Sequence, residues 1–141
     1  MQRLPRLALS VRQPWAWAIG SEGKIIENRT WATKVRGSIC IHAAKGMTRD
    51  EYDACMDFIS DAFPLPKAED MCRRARFVNN DHRGGIIATA DLVDCVTTYD
   101  SPWMFGPYGF VLSNIQPVPF LSVRGGLGFF DWRKNLKGGA G

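Results

Sequence analysis

The sequence predicts an α+β fold: a small mixed β-barrel of about six strands with flanking helices. Two observations carry this reading. Short apolar or alternating segments follow one another near both ends of the chain, and the amphipathic helical stretches are grouped in one central insertion. Strands running consecutively at both ends exclude an alternating β-α-β-α parallel sheet. The chain has 141 residues, enough to bury roughly two-thirds of its unfolded surface without a metal or disulfide staple. One domain is expected over residues 1–135. A flexible tail is expected over 136–141, where Lys137-Gly-Gly-Ala-Gly141 offers little to bury.

Arg6–Val11 reads as the first strand. Pro14 suits the first turn of a short helix over Trp15–Ile19, where a missing N–H costs nothing. Gly20 and Gly23 then punctuate a turn, and Lys24–Trp31 and Gly37–Ala43 read as strands. Thr48-Arg-Asp-Glu51 is a capping box. Tyr52, Cys55, Met56, Ile59 and Phe63 follow it at helical spacing, until Pro64 and Pro66 stop the helix. Residues 67–76 suit a second, basic-ended helix. Gly84–Cys95 is the longest β-like run; Tyr108–Ile115 and Val118–Val123 read as two further strands, and Phe129–Lys134 as a closing turn or helix.

Hydrophobic residues make up 45% and charged residues 23%, which excludes a disordered chain or a collagen-like one. No apolar run approaches the ~18–20 residues of a membrane helix. The N-terminal apolar stretch, Leu7–Val11, is cut short by Arg12, so a cytoplasmic protein without a membrane partner is expected. Cys40, Cys55, Cys72 and Cys95 contain no C-x-x-C pair; reduced, mostly buried thiols are expected, with no metal and no cofactor. The net charge of +4 is uneven. Residues 1–49 carry nine basic and two acidic groups, residues 50–70 one basic and seven acidic, and arginine outnumbers lysine twelve to six. A basic face with an acidic counter-lobe fits an anionic partner such as nucleic acid.

Two clusters concentrate functional side chains. In Ser10-Val-Arg-Gln-Pro-Trp-Ala-Trp17, Arg12 and Gln13 are hydrogen-bonding groups for base edges or phosphate, and Trp15 supplies a stacking face at a helix N-terminus. Trp17 is expected in the core. In Gly23-Lys-Ile-Ile-Glu-Asn-Arg29, Glu27 and Arg29 share a strand face. Lys24 joins them only if it belongs to the turn or if a bulge intervenes; a charge cluster that merely stabilises the barrel opening is the plainer reading. His42, on the third strand, is either an interior imidazole or a cleft group able to relay protons, and Lys45 ends the same strand. Trp103, Phe105 and Tyr108 lie in an aromatic Gly/Pro segment that is either a base-stacking wall or a plug at the barrel end.

SVRQPWA, GKIIENR, RG and IHAAK together resemble the ASCH family, a branch of the PUA-like β-barrel superfamily, and specifically its bacterial and phage members. The family hallmark is G-x-K-x-x-E-x-R. This chain supplies Lys24, Glu27 and Arg29 in the correct relative positions, with Glu22 where the glycine stands and Gly23 one residue later. The resemblance implies a PUA-like barrel, RNA or nucleotide binding, and a cleft lined by Lys24, Glu27 and Arg29. Arg12, Gln13, Trp15, His42, Lys45, Trp103 and Tyr108 are the further candidate contacts. Some relatives resemble hydrolases, one type deacetylating N4-acetylcytidine and another cleaving RNA. Lys24 matches the catalytic lysine of the deacetylating type, whereas Glu27 stands where that type has a threonine. The alternative function is therefore a small nucleoside amidohydrolase or ribonuclease. In it Glu27 would act as general base, while Lys24 and Arg29 would stabilise an oxyanion or phosphate.

Overall fold

The computed structural model describes residues 3–78 and 82–136, the side chains of residues 77 and 78 excepted. Six strands form one curled, half-barrel sheet in the order β2-β5-β4-β3-β1-β6. They are β1 Leu7–Val11, β2 Ile26–Arg29, β3 Gly37–Ala43, β4 Gly85–Val96, β5 Tyr108–Ser122 and β6 Phe129–Asp131. Three helices accompany them: α1 Trp15–Ser21, α2 Arg49–Ala62 and α3 Lys67–Val78. Only β1 and β3 pair in parallel, with Ser10 opposite His42; the other pairings are antiparallel. This is a small α+β PUA-like barrel.

Helix α1 explains the curl. Ala16, Trp17, Ala18 and Ile19 are all buried, as expected of a helix apolar on every side. Ala16 and Ile19 join Leu9, Val11, Ile39, Ile41 and Phe110 inside the sheet. Trp17 and Ala18 face a second core made with Cys55 and Ile59 of α2 and Ala68, Met71 and Ala75 of α3. Alternation along the strands sends Ala8 and Cys40 to the opposite face, where Ile86, Val123 and Trp132 cover them. The α2 capping box forms as expected: Thr48 Oγ1 accepts from the Glu51 N–H, and the Glu51 carboxylate accepts from the Thr48 N–H.

Three expectations change. Residues 108–122 form one long strand rather than two. From Ser113 onward β5 has β4 on one side and no strand paired on the other; Pro117 pairs with Ala88, and Pro119 falls in the register irregularity before Leu121 pairs with Ile86, so a strand with one free edge absorbs both prolines. The break in the alternating pattern is absorbed by bulges against β4 and by Asn114 in the left-handed region (φ 49°). Phe129–Asp131 is a true strand, pairing with β1, and a 3-10 turn over Trp132–Asn135 follows it. Pro14 caps α1 from just outside rather than entering its first turn. Of the tail expected over 136–141, Leu136 packs against the Ala8–Cys40 core, and residues 137–141 lie outside the described residues.

Asn28 anchors the segment between β4 and β5. Its Nδ2 donates to the Trp103 carbonyl at 2.9 Å, and its Oδ1 accepts from the N–H groups of Phe105 and Gly106 at 2.8 and 3.0 Å. Trp103 is thereby buried against Phe58 and Phe63. An Asn28→Ala protein is expected to lose about 1–3 kcal/mol, because backbone groups of this segment lose their partners. Urea denaturation measures the loss, and faster proteolysis within residues 99–107 locates it.

Candidate functional site

The turn between α1 and β2 decides where the charged trio sits. The N–H groups of Glu22 and Lys24 both return to the Ala18 carbonyl, at 2.9 and 3.2 Å. Gly23, at φ +75°, supplies the left-handed residue this return requires. Lys24 therefore lies in the turn, ahead of β2, which is the arrangement that lets it join Glu27 and Arg29. Glu22, where the hallmark has its glycine, is tied to Arg74 of α3 through two hydrogen bonds of 2.6 and 2.9 Å.

The three charges form one closed network. Lys24 Nζ donates to Glu27 Oε1 at 3.1 Å and to the Ile26 carbonyl, and lies 5.9 Å from the centre of the Trp15 ring. Arg29 Nε donates to Glu27 Oε2 at 3.0 Å, and its Nη2 donates to the Ser10 carbonyl at 2.7 Å. Lys24 is 1% exposed and Glu27 7%. Lys24, Glu27 and Arg29 thus pair with one another and are not among the residues lining the cleft of about 820 Å³. Lys24 is buried, and both oxygens of Glu27 are held by cations. Moreover, β2 and β1 stand at positions one and five in the sheet order, so the Arg29–Ser10 bond spans the open side of the half-barrel.

The open hollow lies beyond Ser10. A cleft of about 820 Å³ is lined by Ser10, His42, Lys45, Arg83, Arg124 and the Gly125-Gly126 turn, among others, with no carboxylate among the described residues that line it. Lys45, Arg83 and Arg124 form no ion pair among the described residues. His42 is buried at the cleft wall. It is bonded to Ser10 Oγ through Nδ1 (3.1 Å) and to the Val123 carbonyl through Nε2 (2.7 Å). Burial pushes its imidazole below the ordinary value; the bond to the Val123 carbonyl opposes this without reversing it.

The other candidate residues scatter. Gln13 is fully buried and structural: Oε1 accepts from the Trp17 N–H at 2.8 Å and Nε2 donates to the His82 carbonyl at 2.8 Å. It thereby occupies the α1 end that was expected to attract an anion. Arg12 points to α2 and makes two hydrogen bonds of 2.6 and 2.7 Å with Glu51. Trp15 packs edge-on against Phe105 and tilted against Phe58. Trp103 is 3% exposed and packs against Phe58 and Phe63, so its ring is not open as a stacking wall. Tyr108 opens β5 opposite Arg29. Lys45 and His42 alone of the candidates line the main cleft. Sequence reasoning misses Arg83, Arg124 and Ser10 as site residues, although Ser10 heads the SVRQPWA segment. Burial pushes the thiols of Cys40 and Cys55 up to about 11 and about 12.

Two outcomes test this geometry. Lys24→Met leaves a buried carboxylate with one partner fewer and is expected to cost toward the lower end of roughly 3–5 kcal/mol, since Arg29 still holds one oxygen. Adding Glu27→Leu should restore part of the loss, as read by chemical denaturation. The Arg12 guanidinium, aided by the Thr48 N–H, pulls the Glu51 carboxyl from 4.5 down to about 2. The unfolded chain takes up this proton first, so the contribution stands in full above pH 4.5 and fades as pH falls through about 2. Glu51→Gln, which keeps the cap shape, should melt below the parent protein at neutral pH, with the gap closing toward pH 2. Solvent around Arg12 keeps this gap small.

No curated protein matches the chain. No helix among the described residues is long and apolar enough to cross a membrane. Residues 9–116 match the family model of the ASCH domain. That span takes in β1, the charged turn, the helical insertion and β5 through Gln116, and the chain belongs to the ASCH domain family.

Proposed function

We propose that this domain binds RNA, holding backbone phosphates in the cleft beside Ser10 and His42. The observation that supports this reading most is the imbalance of charge there: Lys45, Arg83 and Arg124 line the hollow, and among the described residues no acid does. Guanidinium groups without ion partners suit phosphate, which accepts two parallel hydrogen bonds from one fork. Leu127, 97% exposed at the rim, adds an apolar surface for a base. The acidic stretch of residues 50–70 belongs to α2 and the start of α3 rather than to the cleft lining. The SVRQPWA opening favours a bacterial or phage origin, and an RNA ligand is compatible with a cytoplasmic setting.

In this reading Lys24, Glu27 and Arg29 act from behind the cleft. Arg29 holds the Ser10 carbonyl, and so fixes the strand whose side chain enters the hollow. No hydrolytic step is routed through Glu27, because each of its oxygens already accepts from a cation.

Fluorescence anisotropy with a labelled single-stranded RNA, read across a salt series, tests the proposal. Affinity is expected to fall linearly on a log–log scale, and each lost phosphate contact should flatten the slope by about 0.7 for a single strand. Lys45→Ala, Arg83→Ala and Arg124→Ala should each weaken binding and flatten the slope. Binding that ignores salt, or a triple variant that binds like the parent, would overturn it. A DNA strand of the same sequence measures the preference between the two sugars.

A further inference from the structure

Ser10 and His42 stand in a relation that phosphate binding does not use. They face each other across the β1–β3 pairing. The Val123 carbonyl can only accept a hydrogen bond, so the ring nitrogen that meets it at 2.7 Å, Nε2, carries a proton. In the neutral ring Nδ1 then holds a lone pair, and the Ser10 hydroxyl, 3.1 Å away, donates to it. A hydroxyl, a base that can take its proton and a third group that fixes the base's tautomer are the parts of an activated serine. Both residues line the cleft, His42 from its buried wall.

The surroundings add two features. The Gly125-Gly126 turn lies against the pair: a methyl at Gly125 would come within 2.9 Å of His42 Cε1 and 3.3 Å of Ser10 Oγ. Among the described residues no acceptor takes up the backbone N–H groups of Gly125 and Gly126, which leaves them available to a developing oxyanion. Lys45, Arg83 and Arg124 supply positive charge around the same space.

We propose that Ser10 is a nucleophile and His42 its general base, and that the pair hydrolyses carboxylic esters bearing an anionic group. Ser10 Oγ bonds to the carbonyl carbon as its proton passes to His42 Nδ1. When the tetrahedral intermediate collapses, the ester C–O bond breaks and Nδ1 returns the proton to the departing alkoxide. Water, deprotonated by the same nitrogen, then attacks the acyl-Ser10 ester. The carboxylic acid leaves, the proton returns to Ser10, and no oxidant, reductant or metal enters the balance. Nε2–H stays on the Val123 carbonyl throughout. Burial favours the neutral ring that this sequence of steps begins from. This activity is independent of RNA binding, so the failure of either leaves the other standing.

A fluorophosphonate probe reads the first step directly. Ser10 Oγ would form a bond to phosphorus, fluoride would leave, and the hydroxyl proton would pass to His42. Intact-mass measurement of the folded full chain should show one adduct, mapped by peptide sequencing to Ser10. Ser10→Ala should abolish it, and His42→Gln should slow it by roughly 100-fold or more, the range for loss of a general base. Should His42→Gln fail to fold by circular dichroism, Gly125→Ala gives the second reading: its methyl crowds the pair, and labelling should fall. No adduct on the folded parent protein, an adduct at another residue, or equal labelling rates in a folded His42→Gln or Gly125→Ala protein would overturn the assignment.

Discussion

The guanidinium of Arg29 reaches two partners that belong to opposite sides of a gap. Its Nε meets the Glu27 carboxylate on its own strand, and its Nη2 meets the Ser10 carbonyl on β1, across the open side of the sheet. A curled six-stranded sheet that stops short of closing must bridge its two edges by side chains. Here the bridge is ionic at Arg29 and aromatic at Trp31, which packs edge-on against Phe110 of β5 and Phe129 of β6. The charge this brings inward dictates the rest. Glu27 neutralises it, Lys24 holds the second carboxylate oxygen, and the Ile26 carbonyl and the Trp15 ring take up the ammonium. An apolar plug would close the gap as well, but it would tolerate slippage. A one-residue shift of β2 would put Asn28 or Ile26 where Glu27 now stands. It would also cost the Asn28 bonds that hold the segment carrying Trp103.

This closure marks the boundary between what the sequence discloses and what only the fold does. Periodicity and capping chemistry are local, so α2, its Thr48–Glu51 box and its Pro64–Pro66 stop are legible in the residues, and so is the meeting of Lys24, Glu27 and Arg29 through a turn at Gly23. The direction in which those charges face is not local. In isolation a Lys–Glu–Arg cluster reads equally as a ligand-binding wall or as a closure of the barrel. The choice depends on β1 lying across the gap, which only the sheet order reveals. The same holds for Gln13, whose amide looks like a base reader until His82 and the α1 backbone take both its ends. The sequence divides β5 in two because Pro117 and Pro119 interrupt a strand pattern, and they are harmless only where that strand runs along an edge. Arg83 and Arg124 lie 41 positions apart in sequence, so no spacing rule joins them.

Ser10 is where the closure and the cleft share an atom path. Its carbonyl is fixed by Arg29, and its hydroxyl faces the His42 ring, which the Val123 carbonyl holds in turn. The chain of contacts thus runs from Lys24 through Glu27, Arg29, Ser10 and His42 to Val123 without a break. One end is almost dry and internally paired; the other opens to solvent beside cations that have no ion partners among the described residues. The buried end is held by bonds among its own charges. The open end can exchange water for a ligand because its charges are not engaged elsewhere.

That division separates two roles that charge density along a chain tends to merge. Charged residues close together invite a binding site, yet burial makes a charge useful to a ligand only if it keeps a free hydrogen-bonding direction toward open space. Each oxygen of Glu27 accepts from a cation within the barrel, and Glu27 thereby holds Arg29 and, through it, the backbone of Ser10. On the proposed reading, the groups offered to a ligand are the Lys45 amine, the Arg83 and Arg124 guanidiniums and the amides of Gly125 and Gly126, which have no partner among the described residues, while the Ser10 hydroxyl is already bonded to His42. On the proposed reading the inventory of unspent groups, rather than the clustering of charge in the sequence, marks the working surface.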